Sequence, residues 1–443
     1  MPQRRDQEDR TPRTHVPNLE ETEDAVLDGD VAYTPGTARA ALAHRDFRLV
    51  WMGSFASNIG TWMQNVALGA FAYKLTRSSG YVALLGFAQL GPLLALSIVG
   101  GLLADTIDRR WLLIVCQTEQ LILSFVLAAV AAGHHPSRTA ILLVVLGLGI
   151  GNALNAPTFS AVLPQLVGRR DLAGAVSLQS VQMNLSRVVG PAIGGLVLPA
   201  IGAPGVFVVN GLTYLFAIGT LWVVTIPRPY PQQGEQGLQR LVGGFRVARR
   251  DRLVRRCLLT IAGISFFCLP FIGLMPVIAA KNFGIDVTGA AYGILYASFG
   301  LGAALGAVSV GTFLIGRSRL VLVRGGLVLF GVALAAFALV RHPAAAYPLV
   351  LLVGLFYFGC VTALSTVLQD HLSDAVRGRV TALWIMGFGG TVPIGLLVGG
   401  FIADHTSITA VVVAGAVVAL LLPLLADVRS PDGPMEDLEI EPA

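Results

Sequence analysis

Runs of about twenty apolar residues recur along the whole chain, and nothing else in the sequence constrains its fold so tightly. A helix rises ~1.5 Å per residue, so each run is long enough to cross a hydrocarbon core of ~30 Å. Twelve such runs are found, near residues 48–72, 81–104, 111–133, 139–162, 172–199, 205–226, 257–280, 289–315, 319–340, 347–369, 379–403 and 408–426. Only 13% of the residues are charged, about half the share of a soluble domain. The chain is predicted to be an all-α polytopic membrane protein with 12 transmembrane helices.

Charge is distributed to match. Residues 1–40 hold nine acids and five arginines, and residues 427–443 hold six acids and one arginine. Of 26 acids and 31 bases in all, 11 acids and 25 bases remain in residues 41–426. All of these bases but Arg187 lie in loops between apolar runs, so the partner they fit is the lipid bilayer, not nucleic acid. One set of loops carries Arg45, Arg48, Arg109, Arg110, Arg169, Arg170, Arg317, Arg319, Arg324, Arg377 and Arg379, and the connector 227–256 adds eight more arginines. The opposite set carries Lys74, Arg77, Arg138, Lys281 and Arg341. By the positive-inside bias the arginine-rich set is cytoplasmic and both termini are inside. The arginine-over-lysine bias, with abundant Ala, Gly and Val, suggests a bacterial inner membrane. The first forty residues hold no apolar stretch, so the first span is expected to direct insertion.

The expected organisation follows. Residues 1–43 form an acidic, disordered cytoplasmic tail, 44–226 a six-helix half, and 227–256 a cytoplasmic linker with the amphipathic stretch "GLQRLVGGFRVARRDRLVRR". Residues 257–426 form a second six-helix half and 427–443 a second acidic tail. The halves echo each other: "RRDLAGAVSLQS" leads into "VVGPAIGGLVLP" in the fifth span, and "RGRVTALWIMGFGGTVPIGLLVGGFIAD" covers the eleventh. Repeated halves are a mark of one transporter architecture.

No enzyme chemistry stands out. The seven histidines fall in tails or loops, and no H-E-x-x-H, G-x-S-x-G or Walker sequence occurs. Cys116, Cys257, Cys268 and Cys360 lie in or beside apolar runs without metal spacing, so neither metal nor cofactor is expected.

Two stretches carry a family resemblance. The loop "GGLLADTIDRR" (100–110) resembles the G-x-L-A-D-R-x-G-R-R pattern of the major facilitator superfamily, matching at Gly101, Leu103, Ala104, Asp105, Arg109 and Arg110 and departing at Thr106 and Asp108. The resemblance implies a cytoplasmic gate in which Asp105 pairs across the face and latches the outward-facing state. The matching loop of the second half, "IGRSR" (315–319), has no acid. In the fifth span "SRVVGPAIGG" (186–195) resembles the G-x-x-x-G-P-x-x-G-G pattern of proton-coupled antiporters, with Gly190, Pro191, Gly194 and Gly195 matching and Ser186 replacing the first glycine. Small residues at this spacing favour close, bendable packing between the halves. More widely, the membrane body is similar to the branch that includes bacterial enterobactin exporters and related efflux carriers. That resemblance implies the major facilitator fold of two pseudo-symmetric halves.

The departures matter as much. Val145 stands where many proton-coupled exporters carry an arginine, Phe159 replaces the arginine of a P-x-R-Q-A stretch, and Gly60-Thr61 lacks a following Asp. The clear intramembrane charges are Glu119 in the third span and Arg187 in the fifth. An ionisable residue at that depth must face a cavity or a partner, which makes each a candidate for coupling or substrate binding. Glu119 would carry a proton or bind a cation; Arg187 would bind an anionic substrate or pair with Glu119. Each also has a structural alternative, as a carboxylate reaching interfacial water or an arginine satisfying carbonyls. Cavity-lining candidates are Asn58, Trp62, Gln64, Asn65, Gln89, Asn152, Asn155, Gln179, Gln182, Tyr292, Tyr296 and Trp384. The expectation is a monomeric secondary exporter of a drug-like compound or secreted metabolite, working by alternating access with proton antiport. A dedicated siderophore exporter, a lysophospholipid or lipid transporter, and a non-transport sensor are the alternatives.

Overall fold

The computed structural model describes residues 34–226, 238–314 and 316–426. Within its helices the side chains of residues 97, 98, 100–102, 104, 105, 238–242, 374 and 375 are not among those described. The acidic ends up to residue 33 and from residue 427, and the opening of the linker, lie outside the described residues.

Every regular element described is helical. In chain order they are α1 (Ala38–Ala43), α2 (Arg45–Thr76), α3 (Ser79–Thr106), α4 (Arg109–Ala132), α5 (Arg138–Val223), α6 (Leu238–Arg250), α7 (Arg252–Gly263), α8 (Pro270–Gly273) and α9 (Met275–Phe283). There follow α10 (Ala290–Thr312), α11 (Arg319–Leu339), α12 (Pro343–His371), α13 (Asp374–Ile385), α14 (Thr391–His405) and α15 (Ile408–Leu421). Eight of the helical runs are long and apolar enough to cross a membrane. One of them, α5, is broken at Gly168 (φ 69°) and Gly202 (φ 66°), so it crosses three times. Counting those three pieces, and adding α2 and the shorter apolar run Ile408–Leu424, gives twelve passes among the described residues. Both breaks need φ > 0, which costs glycine little and other residues ~1–2 kcal/mol.

Local chemistry explains where the helices begin. Ser78 accepts from the Tyr81 N–H, Asp108 from Arg110, Ser137 from Ala140 and Ser407 from Ala410, each satisfying an orphan donor of a first turn. Two spans are interrupted by π-helical turns, Ile264–Cys268 between α7 and α8 and Met386–Gly390 between α13 and α14. Such turns bend a helix without exposing its backbone.

Two boundaries differ from the sequence reading. Residues 38–43, assigned to the tail, form α1 and bury Ala40 and Ala41 against the bundle. The contact is polar in origin: Asp171 accepts from the Gly36 N–H (2.9 Å) and faces His44 Nε2 (2.9 Å). The seventh span starts at Arg252 rather than near residue 257, because Asp251 caps it (2.8 Å to the Val254 N–H) and faces His371 Nε2 at the end of α12 (2.8 Å). Within the linker α6 is two-faced, with Val247 and Ala248 buried and Phe245, Arg246, Arg249 and Arg250 exposed.

Packing gathers α2 to α5 into one group and α7 to α15 into another. Small residues set the spacing, as expected where lipid offers apolar side chains no penalty. In the first group Gly149 lies against the α3 backbone at Ala88–Gln89, and Gly53 against Thr220. In the second, Gly302 and Gly306 lie against the α12 backbone at Leu351 and Leu355. Between the groups, α5 meets α10 and α3 meets α14.

Candidate functional site

Arg187 lies near the middle of the second pass of α5, where that pass meets the other group. Its backbone carbonyl touches Gly300 of α10, where a Cβ would stand 2.5 Å from it. Its guanidinium carbon is 5.5 Å from the Trp62 ring centre and 5.1 Å from that of Phe358. Tyr296 and Tyr357 are within electrostatic reach. The Tyr357 hydroxyl is buried without a hydrogen-bond partner. Among the described residues no carboxylate forms an ion pair with Arg187. Two aromatic faces stabilise a desolvated cation by about 2 kcal/mol or more. Arg187 is half-buried, so its charge is partly desolvated and the rings offset part of that cost.

A cavity of about 180 Å³ lies beside this group, between the two halves. Five candidates line it: Trp62, Asn65, Gln89, Tyr292 and Tyr296. Gln89 donates to Asn65 Oδ1 at 2.6 Å, so part of its polar wall is already paired. Drug-sized ligands occupy sites of roughly 300–1,000 Å³. The cavity in this conformation is smaller than that.

The other candidates sit elsewhere. Gln64 is 3% exposed and accepts from Asn210 (2.9 Å) and Ser124 (3.2 Å), in a knot that ties α2, α4 and α5. Tyr214 joins it through Asn210 (3.5 Å) and meets Thr61 (3.0 Å). Asn155 accepts from Gln117 (3.2 Å), Asn152 is exposed, and Asn58, Gln179 and Trp384 are half-buried. Gln182 and Ser186 are buried, each with its side-chain oxygen unpartnered.

Glu119 does not pair with Arg187. It points from α4 to the first pass of α5, into space left by Gly147 and Gly151. Its Oε2 is buried with no hydrogen-bond donor, and Gln120 Nε2 beside it is also unpartnered. Val145, where an arginine was sought, is fully buried.

The glycine-proline stretch divides its work. A Cβ on Gly190 would meet Trp62 Cβ at 2.5 Å, and one on Gly194 would meet Met63 at 3.0 Å, so both residues seat α2 of their own half. Gly195 and the Pro191 carbonyl lie against Gly293 of α10, across the interface. Of the four matching glycine and proline positions, 191 and 195 make the expected packing between halves, beside the Arg187 carbonyl at Gly300.

On the arginine-rich face, Arg109 donates to the Ala161 carbonyl (2.9 Å), and Arg110 to those of Leu221 and Trp222. Gly101 and Asp105 lie in α3, but their side-chain surroundings are outside the described residues. Arg319, whose loop lacks an acid, pairs with Asp370 at the end of α12.

Sequence reasoning missed Asp404. This carboxylate ends α14 and accepts from the Ser79 N–H (2.6 Å), the Gly80 N–H (2.8 Å) and the Ser78 hydroxyl (2.6 Å) at the start of α3. The signal was present, since "GGFIAD" (399–404) repeats "GGLLAD" (100–105). Asp286 on the same face lies near Lys74 and Arg77 of the other half, and Thr288, through its N–H and then its hydroxyl, holds that carboxyl below the usual carboxylate range.

Residues 36–443 match the family described as transmembrane secretion effector. The chain belongs to that family of major facilitator transporters. Its members are transport proteins, not enzymes, and the chain is a multi-pass membrane protein. It is 30% identical over 349 residues to the enterobactin exporter EntS of Escherichia coli O1:K1 / APEC, covering 77% of this chain and 81% of that one. It is 25% identical over 366 residues to the staphyloferrin A transporter of Staphylococcus aureus (strain NCTC 8325 / PS 47), covering 79% and 88%. In fold it is similar to a bacterial homologue of the iron transporter ferroportin in an inward-facing state, with a TM-score of 0.69 at 14% identity, covering 86% and 99%.

Proposed function

We propose that this transporter exports a small anionic metabolite of the siderophore kind out of a bacterial cell, by alternating access. The observation that carries this reading is Arg187, a cation with no counter-ion among the described residues, held between Trp62 and Phe358 where the two halves meet. A seat of that kind favours a ligand with a negative group on a planar or aromatic body. Relatives named as an enterobactin exporter and a staphyloferrin A transporter support the substrate class. The arginine-rich loops set the orientation: that face is cytoplasmic, with both termini inside the inner membrane.

Energy comes from proton antiport through Glu119. The carboxyl binds a proton where it has no hydrogen-bond donor, and releases it when the passes around it rearrange. The two moving halves are residues 38–226 and 252–426, with the segment between them as the linker.

The test compares culture medium and cell extract with and without the gene under iron limitation. The compound that disappears from the medium and builds up inside is then offered to inverted vesicles. Accumulation that needs an imposed pH gradient and falls at least tenfold in Arg187→Ala supports the reading. A secreted profile unchanged by deletion removes it.

A further inference from the structure

We propose that Asp404 is the latch that holds the arginine-poor face shut, by capping the first turn of α3 from the opposite half. The inference rests on the proposal above that transport proceeds by alternating access with this face outside.

The geometry follows from two antiparallel helices. α3 and α14 pack along the interface between the halves, with Leu94 beside Gly390, Leu396 beside Gly86, and Gly400 beside Ala83 and the Ser79 carbonyl. Because the two run in opposite directions, the last turn of α14 meets the first turn of α3. That first turn has N–H groups with no partner inside its own helix. Ser78 satisfies one, accepting from Tyr81 (3.1 Å). Asp404 satisfies those of Ser79 and Gly80, and accepts from Ser78 as well.

A cap normally comes from the residue next to the helix it serves. This one comes from more than three hundred residues away and carries a full negative charge at the positive end of α3. It exists only while the two halves touch at this face. Opening the face breaks all three hydrogen bonds together, so the cap's stabilisation is a bias toward the closed state. Glycine makes the approach possible: a Cβ at Gly80 would lie 2.8 Å from Asp404 Oδ2. The named approaches across the interface, from Asp404 to Gly195–Gly293 and down to Arg187–Gly300, lie between mid-depth and this same face.

The sequence carries the device twice. Gly399-Gly400-Phe-Ile-Ala403-Asp404 ends α14, and Gly100-Gly101-Leu-Leu-Ala104-Asp105 ends α3. Antiparallel packing places the hexapeptide of α14 at the start of α3 and the two hexapeptides at opposite ends of the paired helices. The member at 404 is engaged in this conformation.

The test reads the distance across the arginine-poor face. Spin labels are placed at H135C and H342C, exposed loop positions in the two halves, while the four native cysteines are buried. Reaction of these sites with a membrane-impermeant thiol reagent on intact cells checks which face is outside. Capping strengths of about 1–2 kcal/mol convert to a fivefold to thirtyfold fall in the closed-to-open ratio for Asp404→Ala. Asp404→Glu retains part of the bias. Ser407→Ala, which removes an ordinary cap next door and no contact between halves, leaves the ratio unchanged. Equal distributions for wild type and Asp404→Ala overturn the latch, as does an equal shift for Ser407→Ala. Thiol reaction only from the cytoplasmic side would instead overturn the assigned orientation, whatever the distances show.

Discussion

Arg187 of the first half reaches Phe358 of the second, guanidinium carbon to ring centre, at 5.1 Å. No motif in the sequence announces that contact. It places the charge on the seam between the two halves, within reach of both.

Replacing Arg187 separates charge from shape. Arg187→Gln and Arg187→Ala should raise the substrate concentration for half-maximal transport at least tenfold, as expected when a charge-assisted hydrogen bond is removed. Arg187→Lys should fall between, because an ammonium keeps the charge and loses the planar face. Transport kinetics in inverted vesicles decide it, and wild-type kinetics in Arg187→Gln would exclude the seat.

Glu119→Gln keeps the side chain's size and removes its titration. Export driven by a substrate gradient should persist while dependence on the pH gradient disappears. Thermal stability should stay the same or rise, because no donor is lost at Oε2. A Glu119→Gln carrier still driven by the pH gradient would move coupling elsewhere.

Gly195 tests the seam sterically. A Cβ there overlaps Gly293, backbone against backbone, with no flexible side chain to yield. Gly195→Ala should cost about 1–3 kcal/mol of the closed arrangement and slow transport severalfold, while Gly219→Ala, with open space around it, should be silent. The ratio of the two rates is the measurement.

The buried knot predicts stability without specificity. Asn210→Leu removes the donor to Gln64 and Ser124, leaving only the bond between those two, and should cost about 1–3 kcal/mol. Because both replacements disrupt one network, Gln64→Leu on top of Asn210→Leu should cost less than the sum of the single changes. Melting curves in detergent test both points, and the substrate preference of surviving protein should match wild type.

Much of the fold was legible before any coordinates. Run length announced the passes, and arginine placement sorted the loops, because both reflect the cost of moving polar groups into hydrocarbon. Arg187 and Glu119 stood out for the same reason. Their surroundings did not. A helix apolar on every side gives no periodic hint of which face meets which neighbour, so Phe358 beside Arg187 and Gly151 beside Glu119 were invisible. Asp404 was readable as half of a repeat, but not as a cap for a helix in the other half.

Gln64 and Asn65 show where the division falls. Both are polar residues in one apolar run, and sequence alone treats them alike. About 100° of helical turn separates them, and that angle sends Gln64 into the knot with Asn210 and Asn65 to the cavity wall beside Gln89. Sequence by itself determined that this chain lies in a membrane, how often it crosses and where its costly charges are, because solvation acts on each residue separately. Which of those residues meet was decided by tertiary packing, because contact depends on helix rotation and on distant small residues that let backbones approach.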